Sequence, residues 1–294
     1  IFYEREGGEK RSGSAGWYNN ISFEKLAREE GLKSHSINGD AFSDQVKEQA
    51  VSLIRENSGT VDMVIYSLAA PVRVDPVSGE THRSVIKPIG NSFSSRTLDS
   101  MTGDFIDFHL DPATDEEIAA TIKVMGGEDW ERWIQLLGDE GVLDPHALPV
   151  AYSFIGPPAT KAMYRDGTIG RAKEHLEETA RRLNARMGES GGSAYVSVNK
   201  ALVTRASAVI PVVPLYISLL FGVMKTKNIH EDCIQQIVRL YSDKLFNERD
   251  VPVDEMDRIR MDDLEMREDV QAEVDELWSK ITVENFKNLA DFDG

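Results

Sequence analysis

The stretch Val61–Ala70, VDMVIYSLAA, is apolar almost without interruption over the length of one strand. Continuous rather than alternating hydrophobicity is typical of a strand that is covered on both faces, as in a parallel sheet. The residues before it predict a strand end at Ile1–Glu4, helices at 21–30 and 44–56, and a short strand, KSHSIN, between the helices. Strand, helix, strand, helix, strand is the order of a doubly wound α/β fold, so we predict a doubly wound parallel sheet.

The order of elements changes after this stretch. Residues 71–90 carry a Ser-Gly turn signal and are typical of a hairpin with extended ends. Further buried strands are predicted at LPVAYSFIG (148–156) and AYVSVNKALV (194–203), and the residues after His230 are mostly helical and acidic. Because no flexible linker divides the sequence, we predict a single Rossmann-type domain over residues 1–294, with added helices and a hairpin.

Charge and cysteine content narrow the possible functions. The net charge of -17 over 294 residues gives the protein no general attraction for nucleic acid or anionic membranes, so we expect neither as a partner. The single cysteine, Cys233, excludes an internal disulfide and a cysteine-cluster metal site. We therefore expect a cytoplasmic protein without a bound metal.

One apolar segment has two interpretations. Residues 206–224, ASAVIPVVPLYISLLFGVM, are uncharged and about long enough to span a bilayer. Pro211 and Pro214 interrupt the first half, and Gly222 lies in the second. We favour a strand end, a turn and a buried helix that lines an apolar pocket over a membrane span.

The stretch AMYRDGTIGRAK, residues 162–173, places eight residues between Tyr164 and Lys173. An ammonium close to a phenol lowers the pKa of the phenol, which can then donate a proton to a carbonyl oxygen that gains negative charge. Nine positions along a continuous helix would place the two side chains on opposite faces. They can meet if the chain turns at Asp166-Gly167 and the helix begins near Thr168.

Other tyrosine–lysine pairs show that spacing alone is weak evidence. Tyr18 and Lys25 have six residues between them, but no strand leads into Tyr18. Tyr216 and Lys225 have eight, but they lie in an apolar segment without an Asp-Gly turn. On chemistry alone, Tyr164 is either catalytic or a surface tyrosine that precedes an ordinary amphipathic helix.

Several longer motifs resemble the V-type enoyl-acyl carrier protein reductases and the related trans-2-enoyl-CoA reductases. The motifs are INGDAFSD, YSLAAPVR, SGETHRSVIKPIG, YRDGTIGRAKEHLE, VNKALVTRASAVIPVVPLY and VPVDE, and they follow one another through the whole chain. The resemblance implies an enlarged Rossmann-type, short-chain-dehydrogenase-like fold and, as a rule, a monomer. It also implies NADH-dependent reduction of the 2,3 double bond of an enoyl thioester, carried by acyl carrier protein or CoA, in fatty-acid synthesis.

The resemblance also implies roles for individual residues. Tyr164 would donate the proton, Lys173 would contact NADH as well as assist catalysis, and Phe154 would contact substrate. An acidic residue such as Glu4 can bond a ribose 2′-hydroxyl and repel a 2′-phosphate, which predicts NADH rather than NADPH. The implied cofactor-binding residues are Tyr3, Glu4, Asp40, Ala41, Leu68, Ala69, Lys173, Leu202, Val203 and Thr204.

The sequence departs from the family pattern in two ways. The glycine-rich turn that cradles a cofactor pyrophosphate is missing from the front, and the end, ADFDG, comes early, so we predict a chain truncated at both ends. The family has a tyrosine where Phe154 stands, which removes a hydroxyl from the substrate site. Tyr152, two residues away, is a possible replacement for that hydroxyl.

Three functional alternatives stay open at this point. The first is enoyl-thioester reduction, and the second is reduction of a ketone or β-ketoacyl thioester by the same fold. The third is an inactive, truncated binding module. The cations around the motif are either a docking patch for an anionic carrier or helix-face partners of Glu174, Glu177 and Glu178. These cations are Lys161, Arg165, Arg171, Lys173, Arg181, Arg182 and Arg186.

Overall fold

A computed structural model of the chain describes residues 1–68, 70–98, 104–157, 160–204, 207, 210, 212–247, 249–282 and 284–291. In chain order the strands are β1 (Val61–Tyr66), β2 (Val72–Val74), β3 (Thr81–Arg83), β4 (Phe93–Leu98), β5 (Phe105–Leu110), β6 (Leu143–Ser153), β7 (Tyr195–Val198) and β8 (Arg258–Arg260). The α-helices are α1 (Ala15–Glu29), α2 (Asp44–Asn57), α3 (Asp115–Met125), α4 (Glu128–Asp139), α5 (Thr168–Met187), α6 (Val213–Thr226), α7 (Cys233–Arg239), α8 (Glu268–Lys280) and α9 (Phe286–Leu289).

The chain folds into two compact units. The first comprises Ile1–Val61, Arg73–Thr81 and Arg132–Asp144, and the second comprises Asp62–Val72, His82–Glu131 and Pro145–Gly294. The single domain over residues 1–294 that the sequence predicts stays a prediction.

The first unit contains the two helices that the sequence predicts there. The Ser43 hydroxyl caps α2 by accepting a hydrogen bond from the Val46 amide at 3.3 Å. The two predicted strands are wrong in extent, because among the described residues Ile1–Glu4 and KSHSIN meet in one parallel bridge, Phe2 to Asn38. One bridged residue pair does not supply the repeated hydrogen bonds that make a strand.

The main sheet has the strand order β1-β6-β7-β8. β6 pairs with β7 in parallel, with Val150 opposite Tyr195, and β7 pairs with β8 in parallel. The amide of Val61 donates to the carbonyl of Val142, so β1 and β6 begin side by side. The parallel sheet and its helices form the predicted Rossmann-type α/β fold, and the carboxyl ends of the strands lie along one edge.

Two hairpins accompany the sheet. β2 and β3 form the predicted hairpin, and Gly79 takes a φ of +74° in its turn. β4 and β5 form an antiparallel hairpin that the sequence analysis missed, with Phe93 opposite Leu110. Ser94, Ser95 and Arg96 interrupt β4 with polar side chains, so the strand lacks the apolar pattern from which buried strands are predicted.

The predicted apolar helix is α6. Pro214 stands in its first turn, where a missing amide hydrogen costs nothing, and most of its side chains are buried. Buried residues of α8, including Val270 and Val274, belong to the same hydrophobic cluster. No helix of the described residues has the length and apolar character needed to cross a membrane.

Candidate active site

The turn that the sequence predicts between Tyr164 and Lys173 is present. The Tyr164 amide donates to the Thr160 carbonyl at 2.9 Å, and α5 begins at Thr168. The Gly170 amide then donates back to the Tyr164 carbonyl at 2.9 Å. Lys173 lies three residues after Gly170, on the same side of α5. The turn therefore holds the backbone of Tyr164 at the N-terminal end of the helix that carries Lys173, and the meeting of the two side chains stays a prediction.

Gly170 is required for this turn. A Cβ atom at this position would overlap the carbonyl oxygen of Arg165. Gly188, at the other end of α5, has helical dihedral angles and open space around the same position. The two glycines thus differ in how closely the backbone approaches them.

We predict that Gly170→Ala will lower the free energy of unfolding by about 1–3 kcal/mol, because the methyl group overfills a tightly packed turn. Gly188→Ala is the matched control, and we expect it to change stability by less than about 1 kcal/mol. Denaturant unfolding followed by circular dichroism measures both. Equal stability of the two variants would contradict the proposed close approach.

Tyr164 is buried, with 6% of its surface exposed. Its ring meets the ring of Phe154 edge-on, with 5.2 Å between the centroids and 71° between the planes. Burial raises the pKa of the Tyr164 phenol. The sequence analysis expected Lys173 to lower this pKa, and the structure corrects that expectation, because burial is the cause of the shift and Lys173 makes no contribution to it. Tyr164 is therefore protonated at neutral pH and can donate its hydroxyl hydrogen.

Lys173 is a desolvated cation. Burial lowers the pKa of its ammonium to about 8, and the carboxylate of Glu177 partly opposes this shift. Within the part of the chain that the structure describes, no side chain or carbonyl forms a hydrogen bond or ion pair with Lys173 Nζ. A desolvated charge without a partner is costly, so this position favours a ligand that supplies oxygen atoms.

The neighbouring cations are mostly paired. Arg165 Nη1 lies 2.9 Å from the carboxylate of Glu177, which is itself buried. These pairs support the helix-face interpretation over the docking patch. The other pairs are Lys161 with Asp166, Arg171 with Glu174, and Arg182 and Arg186 with Glu131.

Phe154 follows the last residue of β6 and packs against the hydrophobic cluster of α6. Tyr152 lies inside β6 and packs instead in a separate cluster with Leu240 and Ile259. Burial and an interaction with Tyr241 raise the pKa of the Tyr152 phenol. The suggestion that Tyr152 replaces the hydroxyl missing from Phe154 is therefore wrong, because the two rings point into different clusters.

The remaining candidate residues of the second unit follow the carboxyl ends of strands. Leu68 comes two residues after β1, and Leu202, Val203 and Thr204 come shortly after β7. Ligands of open α/β sheets bind at this edge. The Thr204 amide donates to the Ser207 hydroxyl at 2.7 Å. Ala69 lies outside the described residues.

In the first unit, Glu4 has a fixed backbone. Its amide donates to Asn38 Oδ1 at 2.9 Å, and Asn38 Nδ2 donates to its carbonyl at 3.0 Å. A Cβ atom on Gly16 would overlap the carboxylate of Glu4, so that side chain occupies a groove that only glycine leaves open. Tyr3 is largely exposed beside it.

Asp40 lies in a tight turn, and Ala41 is held by two residues, Lys47 and Trp133, that the sequence analysis did not assign to the site. Asp40 Oδ1 accepts from the Phe42 amide at 2.9 Å in an Asx-turn. The Ala41 carbonyl accepts from Lys47 Nζ at 2.9 Å and from Trp133 Nε1 at 3.1 Å. Lys47 is buried on the apolar face of α2, and a lysine at such a position was the signal available in the sequence.

Comparison with known proteins identifies the family. Residues 11–246 match the family model described as the trans-2-enoyl-CoA reductase catalytic region. The chain belongs to this family. Residues 253–294 match a second model, described as the enoyl reductase FAD binding domain.

Individual relatives agree with this assignment. An NADH-dependent enoyl-acyl carrier protein reductase of Cytophaga hutchinsonii is 53% identical over 294 residues, which are 100% of this chain and 74% of the relative. An NADH-dependent trans-2-enoyl-CoA reductase of Treponema denticola is 52% identical over 295 residues, again 100% and 74%. A crystal structure of the Treponema denticola reductase with NAD superposes with a TM-score of 0.95 at 53% identity, covering 99% of this chain and 73% of that chain. The predicted family and fold are thereby confirmed.

The residues of the chain fit a nicotinamide dinucleotide. In the second unit, the ammonium of Lys173 is desolvated and has no partner among the described residues, so a ribose hydroxyl can complete its hydrogen bonding. In the first unit, the carboxylate of Glu4 has the chemistry to accept from a ribose 2′-hydroxyl.

The residues of the second matched region do not fit a flavin dinucleotide. Between 253 and 291 the sequence contains no glycine for a pyrophosphate turn. Its arginines are neutralised within the protein: Arg258 by Asp254 and Glu177, Arg260 by Asp262, and Arg267 by Asp269. We therefore derive no step of the reaction through a flavin.

Proposed function

We propose that Tyr164 and Lys173 carry out the reaction of this family in the chain, the NADH-dependent reduction of the 2,3 double bond of a trans-2-enoyl thioester. The observation that carries the proposal is the turn before α5. It joins a protonated, buried phenol to the helix that bears an unpartnered, desolvated ammonium.

NADH, when bound, supplies the hydride that is added to the β-carbon of the enoyl group. Tyr164 hydrogen-bonds to the thioester oxygen, on which negative charge develops, and so stabilises the enolate. The enolate then takes a proton at its α-carbon, with the help of Tyr164 and with solvent as the final source, to give the saturated thioester. Lys173 binds ribose hydroxyls and so orients the cofactor. In the first unit, Glu4 and Asp40 have the chemistry to bind the adenosine part. In the second unit, Leu68 and residues 202–204 follow the carboxyl ends of strands, where such cofactors bind.

The substrate surface is apolar. Phe154 packs against the cluster of α6 and against Tyr164, so it adjoins both the acyl wall and the proton donor. Each methylene of the acyl chain that leaves water there contributes about 0.8 kcal/mol to binding. The missing hydroxyl of Phe154 removes one hydrogen bond to the developing enolate, on the order of 1–3 kcal/mol.

We predict that Phe154→Tyr will raise kcat for crotonyl-CoA roughly tenfold, because the added hydroxyl can donate to the enolate oxygen. Steady-state assays at saturating NADH measure the change. Phe154→Leu is the control that removes the ring, and we expect kcat to fall because Tyr164 loses its edge-on contact. An unchanged kcat in Phe154→Tyr would show that residue 154 does not contact the thioester oxygen.

Product analysis tests the reaction itself. A saturated thioester formed from crotonyl-CoA with one equivalent of NADH oxidised is the expected result. The family membership supports this reaction over ketone or β-ketoacyl reduction, for which an alcohol would appear instead. Calorimetry with NADH, read together with the turnover assay, tests the third alternative, because an inactive module would bind the cofactor without oxidising it.

We further propose that the protein is a cytoplasmic monomer without a nucleic-acid or membrane partner. The unpaired, exposed Cys233 suits a reducing compartment, and the net charge of -17 opposes binding to polyanions. Light scattering after size exclusion, repeated with duplex DNA and with anionic vesicles, is expected to give one monomer mass in every case.

A further inference from the structure

A buried carboxylate lies beside the chain that leaves β7. Glu265 has none of its surface exposed. Its Oε2 accepts from the Ala201 amide at 2.7 Å, and its Oε1 accepts from the Tyr216 hydroxyl at 2.7 Å. Ala201 directly precedes the proposed cofactor segment Leu202–Thr204, and Tyr216 belongs to α6. One carboxylate therefore binds both the start of the cofactor segment and the helix of the acyl wall.

A glutamine closes this network. Gln271 Nε2 donates to the Tyr216 hydroxyl at 3.1 Å and to the Glu265 carbonyl at 2.7 Å. Gln271 belongs to α8, whose buried residues share the hydrophobic cluster of α6. The Tyr216 hydroxyl thus both donates and accepts, and its position is defined from two directions.

The residue before Ala201 is also held. Lys200 is 2% exposed, and its amide donates to Gln236 Oε1 at 3.2 Å. Its Nζ donates to the Ala201 carbonyl at 3.1 Å and lies 4.4 Å from the centroid of the Phe221 ring. Buried side chains therefore bind the amides of Lys200 and Ala201 and the carbonyl of Ala201, directly before the cofactor segment.

Stability alone does not account for this arrangement. Burial raises the pKa of Glu265 to about 7, against the opposing effects of Tyr216, the Ala201 amide and Lys200. Burial likewise lowers the pKa of Lys200 to about 8. Apolar side chains of similar volume commonly replace buried ionic groups without loss of stability. A buried carboxylate with two well-placed acceptors is therefore better explained by what it positions.

We propose that Glu265 is a positioning residue, which holds the Ala201 amide and the Tyr216 hydroxyl so that segment 202–204 and α6 keep a fixed spacing. The inference rests on the proposed role of 202–204 in binding NADH. It also gives part of region 253–294 a function that requires no flavin. Because the side chain must reach both Ala201 and Tyr216, the length of the side chain at position 265 should matter more than its charge.

Two variants of Glu265 separate reach from charge. Glu265→Asp keeps the charge but shortens the side chain, so it cannot bind both partners at once. Glu265→Gln keeps the reach and the acceptor for Ala201 but removes the charge, and its Nε2 would donate to the Tyr216 hydroxyl instead of an oxygen accepting from it. We expect Glu265→Asp to raise the Kd and KM for NADH at least tenfold with kcat at saturation within threefold. For Glu265→Gln we expect the Kd for NADH, the KM for NADH and kcat each to stay within threefold of the values of the unmodified reductase.

Hydrogen exchange at the amides of 202–204 separates this inference from the proposed function. NADH should protect these amides in the unmodified reductase and protect them less in Glu265→Asp. If NADH does not protect these amides from exchange in the unmodified protein, segment 202–204 does not bind the cofactor. Protection there, together with a Glu265→Asp affinity within twofold of normal, would overturn the positioning role alone. A Glu265→Gln variant as weak as Glu265→Asp would also overturn it, because charge rather than reach would then decide.

Discussion

Tyr164→Phe is expected to lower kcat roughly 10²–10⁴-fold, the usual contribution of a positioned proton donor. The variant removes only the hydroxyl, and the ring contact with Phe154 at 5.2 Å between centroids is retained. We therefore expect the Kd for NADH to stay within about twofold. Stopped-flow measurement of NADH oxidation with crotonyl-CoA gives kcat, and fluorescence titration gives the Kd.

Tyr152→Phe is the matched control for this prediction. Tyr152 is a partly buried tyrosine that lies instead in the cluster with Leu240 and Ile259. We expect its kcat to remain within about twofold of normal. If Tyr164→Phe keeps its secondary structure and normal turnover, Tyr164 is not the proton donor. Equal losses in both variants would indicate a general effect of removing a buried hydroxyl.

Lys173→Met is expected to weaken NADH binding at least tenfold and, at the same time, to stabilise the protein without ligand below pH 8. Burial depresses the pKa of Lys173 from 10.5 to about 8 in the folded chain. A group with a depressed pKa contributes stability that is present above the unfolded pKa and is lost as pH falls through the folded pKa. Methionine avoids the cost of the buried charge, roughly 1–3 kcal/mol at neutral pH.

The pH dependence provides the control for Lys173. Denaturant unfolding without ligand should show the advantage of Lys173→Met at pH 6 to 7 and its disappearance towards pH 10.5, where the unfolded lysine also loses its proton. Arg171→Met changes a neighbouring cation that is exposed and paired with Glu174, so we expect a stability change of less than about 0.5 kcal/mol. A Lys173→Met variant that is less stable than the unmodified protein at pH 7 would contradict the view that Lys173 is unpartnered.

The local signals of the turn before α5 were sufficient for prediction. The Asp166-Gly167 turn set the start of α5 near Thr168, where the structure has it. The capping of α2 by Ser43 was predictable for the same reason, since both depend on residues a few positions apart. β4 was missed because its partner β5 provides the pairing, and the polar residues of β4 give no pattern of their own.

The sequence by itself determined the parallel sheet and the family, because these follow from hydrophobic pattern and from motifs read along the chain, and it supplied Tyr164 and Lys173 as the pair proposed to carry the chemistry. Only the tertiary structure decided the electrostatic state of those residues. Whether an ammonium lowers the pKa of Tyr164 or burial raises it depends on which groups surround the ring, and these come from distant parts of the sequence. For the same reason only the fold revealed Glu265, whose partners at 201 and 216 lie about fifty to sixty residues away along the chain.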